Sequence, residues 1–343
     1  MKSFILCVLA LLVAFFGQAL AHKALAQNTT DPAGLTKLSD GGDLNARDQL
    51  AEIYYFGRGV KKDLKKAHEL SQSIADQGYP RAQMVMGSLY YSGEVVEKNA
   101  EKALNYFKGA AENGSVVGML FLGLMYYSGE GTAVNLSEAF KYIKMAADQG
   151  HVEAQYQIGT MYQNGQGTEK NIENSIKYFR LASDQGHLDS QFYLGGIFSS
   201  GSEIGQDMKE AVKYYRLAAD QGLARAQYLL GLAYFFGEGL PKDVSEAGKW
   251  FKLAAQQGDQ DARYNLGVMY AKGQGIAKNK DEALKWFKLG AEQGDARAMF
   301  NLGYIYDTGE LVKQDLAEAL KWYKLAIKNG HLEATGRVAE LEN

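Results

Sequence analysis

Three histidines, His151, His187 and His331, stand at one register of this chain, and imidazole suits acid–base work or metal ligation near neutral pH. Each opens a helix, however, and packed neighbouring helices lie about 8–10 Å apart, too far for His151 and His187 to hold one ion between them. Hydrogen bonding at helix starts is the expected role, and no metal site is expected. Two glycine-flanked turns, Gly165-Gln166-Gly167 and Gly273-Gln274-Gly275, look like fragments of a phosphate cradle. They lead into lysine-bearing turns and do not follow strands, so they read as turn punctuation. The chain holds no His-Glu-x-x-His, Cys-x-x-Cys, Gly-x-Ser-x-Gly or phosphate-loop pattern. Its acidic residues are spread over solvated faces, with no pair to serve as general acid and base. No enzyme activity, catalytic residue or cofactor is therefore expected.

Composition points to a folded, helical, exported chain. The 343 residues carry 37 Lys+Arg against 40 Asp+Glu, a net charge of −3. That argues against a nucleic-acid partner, whose recognition needs clustered positive charge. A 46% hydrophobic composition supplies a core, and only three prolines suit helices, whose interiors proline breaks. Met1 to Ala26 reads as a secretory signal peptide: Lys2 is followed by the apolar run Phe4 to Phe16, then by small residues at Ala19-Leu20-Ala21 and Ala24-Leu25-Ala26. The run is shorter than the roughly 20 residues that span a bilayer, so the mature chain is expected to have no transmembrane segment. Cleavage is placed after Ala26, with Ala21 as the alternative, giving a periplasmic or secreted protein. Cys7, the one cysteine, leaves with this segment, and with it any disulfide or thiolate-bound metal. Loss of Lys2 and Lys23 leaves 35 basic against 40 acidic residues, a net charge of −5.

Glycine spacing organises the rest. Gly42, Gly78, Gly114 and Gly150 begin a series that continues through Gly186, Gly222, Gly258 and Gly294 to Gly330, one every 36 residues without slippage. The series bounds eight repeats: 43–78, 79–114, 115–150, 151–186, 187–222, 223–258, 259–294 and 295–330. Residues 27–42 form an N-terminal linker or cap, and 331–343 a C-terminal cap. In the first half of a repeat, small and apolar positions such as Ala226, Leu230-Gly231 and Tyr234 share one helix face. A glycine-bearing loop then turns the chain.

The second half opens with an Asp or Asn in all eight repeats: Asp63, Asn99, Asn135, Asn171, Asp207, Asp243, Asn279 and Asp315. These side chains accept from unpaired N–H groups at a helix start. Glu138, Glu210, Glu246, Glu282 and Glu318 follow three residues later, which predicts capping boxes. A second helix runs on through an aromatic pair, as at Trp286-Phe287. Each repeat is thus an antiparallel helix pair, too short to be stable alone, and the pairs must stack. Seven repeats carry glycine in mid-helix: Gly87, Gly123, Gly159, Gly195, Gly231, Gly267 and Gly303. Each costs about 1 kcal/mol relative to alanine, a cost that persists only if another helix needs the space.

Ala226-Gln227-Tyr228-Leu229-Leu230-Gly231 through Ala254-Ala255-Gln256-Gln257-Gly258 is the cleanest copy of a pattern that resembles the Sel1-like repeat family, relatives of the tetratricopeptide repeats. The resemblance covers about 43–343. It implies an all-α α-solenoid, a right-handed superhelix of eight 36-residue helix-turn-helix repeats, acting as a monomeric scaffold that binds a protein partner. Known members are mostly adaptors in signalling, envelope regulation, protein quality control and host interaction. By analogy with tetratricopeptide repeats, first helices line a concave groove. Positions three before the mid-helix glycine, one after it and four after it then face inward. The first column reads Tyr156, Phe192, Tyr228, Tyr264 and Phe300 in repeats 4–8. The last gives Tyr55, Tyr91 and Tyr127 in repeats 1–3 and Phe235 in repeat 6. Of these, Tyr55, Tyr91, Tyr127, Tyr156, Tyr228, Phe235 and Tyr264 are the candidate partner anchors, since aromatic side chains dominate interface energetics; packing between repeats is the competing role.

The pattern departs from the family in three places. Repeat 1 has Ala51 for the mid-helix glycine and Leu70-Ser71 for the aromatic pair, as suits a terminal repeat. Glu203 in repeat 5 and Leu311 in repeat 8 replace the second loop glycine. The cysteine-rich branch, to which penicillin-binding and β-lactamase activities are ascribed, staples its repeats with disulfides that this chain lacks. A hydrolase acting on β-lactams or cell wall, and a carbohydrate-binding module using the tyrosines, are the alternative classes.

Overall fold

The computed structural model describes residues 31–342. The expected signal peptide, with Cys7 and both cleavage points, lies outside the described residues. The chain divides into two compact halves, the first ending at His187 and the second starting at Leu188. Each half contains four helix pairs, and every described regular element is helical.

In the N-terminal half the first helices are Leu44–Phe56, Pro80–Ser92, Val116–Ser128 and Val152–Asn164. Their second helices are Leu64–Gln72, Ala100–Glu112, Leu136–Asp148 and Ile172–Asp184. The C-terminal half has first helices Leu188–Ser200, Ala224–Phe236, Gln260–Lys272 and Ala296–Thr308, with second helices Met208–Asp220, Val244–Gln256, Lys280–Glu292 and Leu316–Lys328. All are 13 residues long except Leu64–Gln72, which stops after 9 and passes into a 3-10 turn, Ala75–Gln77. The terminal segments carry helices of their own, Pro32–Asp40 and Thr335–Glu342.

All eight predicted Asp or Asn residues cap their second helices by accepting backbone N–H bonds. The predicted capping boxes form only by half. The backbone N–H of the helix-opening residue is already used, donating to the first helix of its own repeat: Asn135 to the Tyr126 carbonyl, Asp243 to Tyr234, Asp315 to Tyr306. The glutamates reach forward instead, pairing Glu138 with Lys141, Glu246 with Lys249, Glu282 with Lys285 and Glu318 with Lys321. One turn of a helix offers both partners, and an N–H already satisfied leaves the carboxylate to the cation.

The mid-helix glycines have one cause. A Cβ at Gly87, Gly159, Gly231 or Gly267 would lie within 2.6–2.8 Å of a second-helix ring, from Phe107, Phe179, Phe251 and Phe287 respectively. Tyr215 and Tyr323 do the same at Gly195 and Gly303, and Ile143 at Gly123. Repeat 1 exchanges the pair as a unit: Ser71 replaces the ring, so Ala51 fits where glycine is otherwise required, and both are fully buried. The exchange leaves the Ser71 hydroxyl buried and without a hydrogen-bond partner. Loop glycines are needed for a different approach. Gly167 has φ +72, and a Cβ there would collide with the Leu136 carbonyl of the preceding repeat. Gly165-Gln166-Gly167 is therefore a packed turn.

Glutamines tie the pairs together. Gln185 donates to Gln155 at 2.8 Å, Gln221 to Gln191 at 2.7 Å and Gln257 to Gln227 at 2.8 Å, each joining the end of a second helix to its own first helix. Gln155 and Gln227 also donate to carbonyls of the preceding repeat, Ala147 and Ala219. A buried amide is tolerated because both its ends are bonded, which explains the recurrent Ala-Gln of the first helix and Gln-Gly of the second.

Candidate functional site

On the first helices, aromatic side chains occur three before, two before, one after and five after the mid-helix glycine. The column three before it carries the aromatic series. Each ring packs on the second-helix ring of its own repeat: Tyr156 on Phe179 at 6.0 Å between centroids, Phe192 on Tyr215 at 6.1 Å, Tyr228 on Phe251 at 5.7 Å, Tyr264 on Phe287 at 6.3 Å and Phe300 on Tyr323 at 5.5 Å. Four also carry a cationic or imidazole cover on another side. Arg225 lies over Tyr228 and Arg297 over Tyr264, both at 4.7 Å. His187 lies 4.8 Å from Tyr156 and His331 4.5 Å from Phe300.

The proposed anchors are therefore placed unequally. Tyr55, Tyr91 and Tyr156 are buried, at 7–8% exposure, whereas Tyr127, Tyr228, Phe235 and Tyr264 are half-buried. Burial pushes the Tyr55 phenol up to about 12, since its anion would lose solvation. Tyr127 accepts from Gln166 at 2.5 Å, and Phe235 lies edge-on to Phe236 at 5.1 Å. The more exposed aromatics are others: Tyr193 at 41%, Tyr304 at 46% and Phe236 at 60%. They sit two before, one after and five after the glycine. The position one after it belongs to the inward set that the tetratricopeptide analogy gives, so Tyr304 was legible in the repeat register.

In the C-terminal half ion pairs overlie part of this face. Arg225 and Arg297 both bind Asp261, at 2.8 and 2.9 Å, and extend to Asp259 and Asp295. Burial alone would raise the Asp261 carboxyl; hydrogen bonds from Arg225 and Arg297 outweigh it and hold the group below the usual range. Asn301 reaches the Tyr264 hydroxyl at 3.5 Å and the Arg297 carbonyl at 2.9 Å.

In the N-terminal half the corresponding column holds no ring in repeats 1–3. Asp48, Met84 and Leu120 occupy the aromatic column of repeats 1–3, and a cavity of about 300 Å³ opens beside Met84. Its walls include Tyr55, Phe56, Val85, Val117 and Phe121, with Glu52 and Arg81 among the polar residues that line it. Arg81 is held by Glu52 at 3.3 Å and Asp48 at 3.4 Å. Desolvation raises the Asp48 carboxyl, more than the Ala82 N–H and Arg81 lower it.

The expected helix-start hydrogen bond forms at His151, whereas the His331 side chain makes none to the helix that follows it. His151 caps its helix, its Nδ1 accepting from the Ala154 N–H at 3.3 Å, and His187 pairs with Glu153 at 3.4 Å. Among the described residues no group of three or more His, Cys, Asp or Glu could hold a metal ion.

A repeated helix pair joined through ring-on-glycine contacts, with a varied face on its first helices, defines an α-solenoid repeat protein of the kind that commonly serves as an interaction scaffold. The Sel1 repeat family model matches eight consecutive segments, 45–79, 80–115, 116–151, 152–187, 188–223, 224–259, 260–295 and 296–331, and the chain belongs to that family. Among solved structures it is similar to a protective antigen present in uropathogenic Escherichia coli strains and displaying an SLR fold. That likeness has a TM-score of 0.83 and 29% identity, covering 91% of this chain and 67% of that one. A Sel1 repeat protein from Oxalobacter formigenes matches with a TM-score of 0.64 and 28% identity, over 95% of this chain and 94% of that one. No curated protein matches significantly. Among the described residues, no helix is long and apolar enough to cross a membrane.

Proposed function

We propose that this protein is a non-enzymatic scaffold of the bacterial envelope, exported to the periplasm or beyond it, which holds a partner protein against its first-helix face as an adaptor in envelope signalling or host interaction. The observation that carries the reading is the division of labour within each repeat. Second-helix rings are spent on the mid-helix glycines, while the first helices keep varied side chains, among them Tyr193, Phe236 and Tyr304, open to solvent. The likeness to a protective antigen present in uropathogenic Escherichia coli strains supports an exported location.

In-cell photo-crosslinking tests the reading. A photo-reactive residue at Tyr304 is expected to capture one abundant protein, whereas the same probe at Lys249, on a second helix and 71% exposed, captures none. Capture from both positions alike, or from neither, would overturn it.

A further inference from the structure

The aromatic column on the first helices breaks off in repeats 1–3, and the break has a physical consequence. In repeats 4–8 a Tyr or Phe three residues before the mid-helix glycine packs on the second-helix ring. Repeat 2 has Met84 there, a narrower side chain, and Phe121 from the next repeat covers Phe107 instead, at 5.0 Å. The space left beside Met84 is the cavity of about 300 Å³. That is the lower end of the roughly 300–1,000 Å³ over which ligand pockets range, room for one large side chain and little else. Tyr55, Phe56, Val85, Val117 and Phe121 make its walls apolar.

Arg81 decides what kind of side chain fits. It occupies in repeat 2 the position that Arg225 occupies in repeat 6, where the guanidinium lies over the Tyr228 ring at 4.7 Å. Arg81 lines the cavity, is 49% exposed and is steadied by Glu52 and Asp48, as Arg225 is by Asp259 and Asp261. The cation is thus in place, and repeat 2 supplies no ring of its own for it. A guanidinium beside an apolar wall favours the electron-rich face of an aromatic ring.

We propose that this cavity is the anchoring subsite for an aromatic side chain, Phe, Tyr or Trp, presented by the partner protein. The inserted ring completes the interrupted column, with Met84 and Val85 beneath it and Arg81 over its face. The inference rests on the scaffold reading above and adds where the partner is gripped and by what chemistry.

The probe is a set of blocked pentapeptides, Gly-Ser-X-Ser-Gly, with Phe, Leu or Ala at X, titrated into the full chain labelled with ¹³C at its methionine methyls. The Phe peptide is expected to move the Met84 methyl upfield through the ring current and to leave Met269, in the C-terminal half, unmoved. The Leu peptide should bind several-fold more weakly and the Ala peptide not at all. Arg81→Gln should weaken the Phe peptide by about threefold to tenfold. Met84→Tyr restores the ring that repeats 4–8 carry and should abolish binding while preserving the helical spectrum. If that variant fails to fold, the wild-type titration decides. A silent Met84 methyl, or Leu binding as tightly as Phe, overturns the proposal. A photo-reactive residue at Val117 separates the two readings in cells. Capture at Tyr304 without capture at Val117 removes the cavity and leaves the scaffold, whereas capture at neither removes both.

Discussion

The two halves use the same helix pair to present surfaces of different chemistry. In the C-terminal half every repeat has its ring three before the glycine, and the Arg225–Asp261–Arg297 ladder runs over Tyr228 and Tyr264. In the N-terminal half the rings of repeats 1–3 move seven residues along the helix, to Tyr55, Tyr91 and Tyr127, leaving an apolar hollow beside Met84. Beneath it, the close contact of the mid-helix position with the second helix recurs in both halves, against a ring in every repeat except 1 and 3. The difference teaches that stability and recognition occupy different columns of one repeat, so the outer columns can vary without disturbing the stack.

The largest effect should come from the shared contact. Gly231→Leu drives a side chain into the Phe251 ring and is expected to destabilise the C-terminal half by about 1–3 kcal/mol in denaturant unfolding. Gly123→Leu in the N-terminal half should cost more, because its Cβ also lies 3.1 Å from the Ala139 carbonyl and the Ile143 nitrogen, backbone that cannot turn aside. An unchanged midpoint for either would remove close approach of the second helix to the mid-helix glycine as the common frame.

Repeat 1 tests the same contact in reverse. Ser71→Phe alone should destabilise by about 1–3 kcal/mol through collision with Ala51. Ser71→Phe with Ala51→Gly should recover most of that, and a double-mutant cycle with no coupling would show that the two positions do not form a pair.

The terminal carboxylates should respond to acid in opposite directions. Asp307 is held low chiefly by hydrogen bonds from Arg337, at 2.7 Å each, so its contribution is present above the ordinary aspartate value of about 3.9 and lost as pH falls through its lower folded value. Asp48 is raised by burial, so its ionisation costs stability as pH rises from the ordinary value through the higher folded one, and acid relieves that cost. Hydrogen exchange below about pH 4 should therefore show Thr335–Glu342 opening before the Leu44–Phe56 helix. The reverse order would contradict both assignments.

Smaller effects separate packing from recognition. Gln227→Ala removes bonds to Gln257 and Ala219 and should cost about 1 kcal/mol in thermal unfolding. Tyr304→Ala, at an exposed position, should change stability by less than about 0.5 kcal/mol yet weaken partner capture. A large loss of stability there would return Tyr304 to the core.

Much of this was legible in residue spacing. The 36-residue period, the Asp and Asn caps and the need for close approach at the mid-helix glycines follow from local chemistry, which a linear pattern records. The half-formed capping boxes were not, because the competitor for the Asn135 N–H is a carbonyl nine residues earlier on another helix. Burial of Tyr55, Tyr91 and Tyr156 was not legible either, since the register places a ring on a face but not the neighbour that covers it.

The sequence by itself determined the helix pair, its number of copies and the family, because caps, turns and periodicity act over a few residues and repeat eight times. Only the tertiary structure decided which rings are covered, that Arg81 stands beside a hollow while Arg225 stands over a tyrosine, and that Ser71 and Ala51 replace a ring and a glycine together. Those outcomes depend on side-chain volumes meeting across helices, and volume is balanced in space, not along the chain.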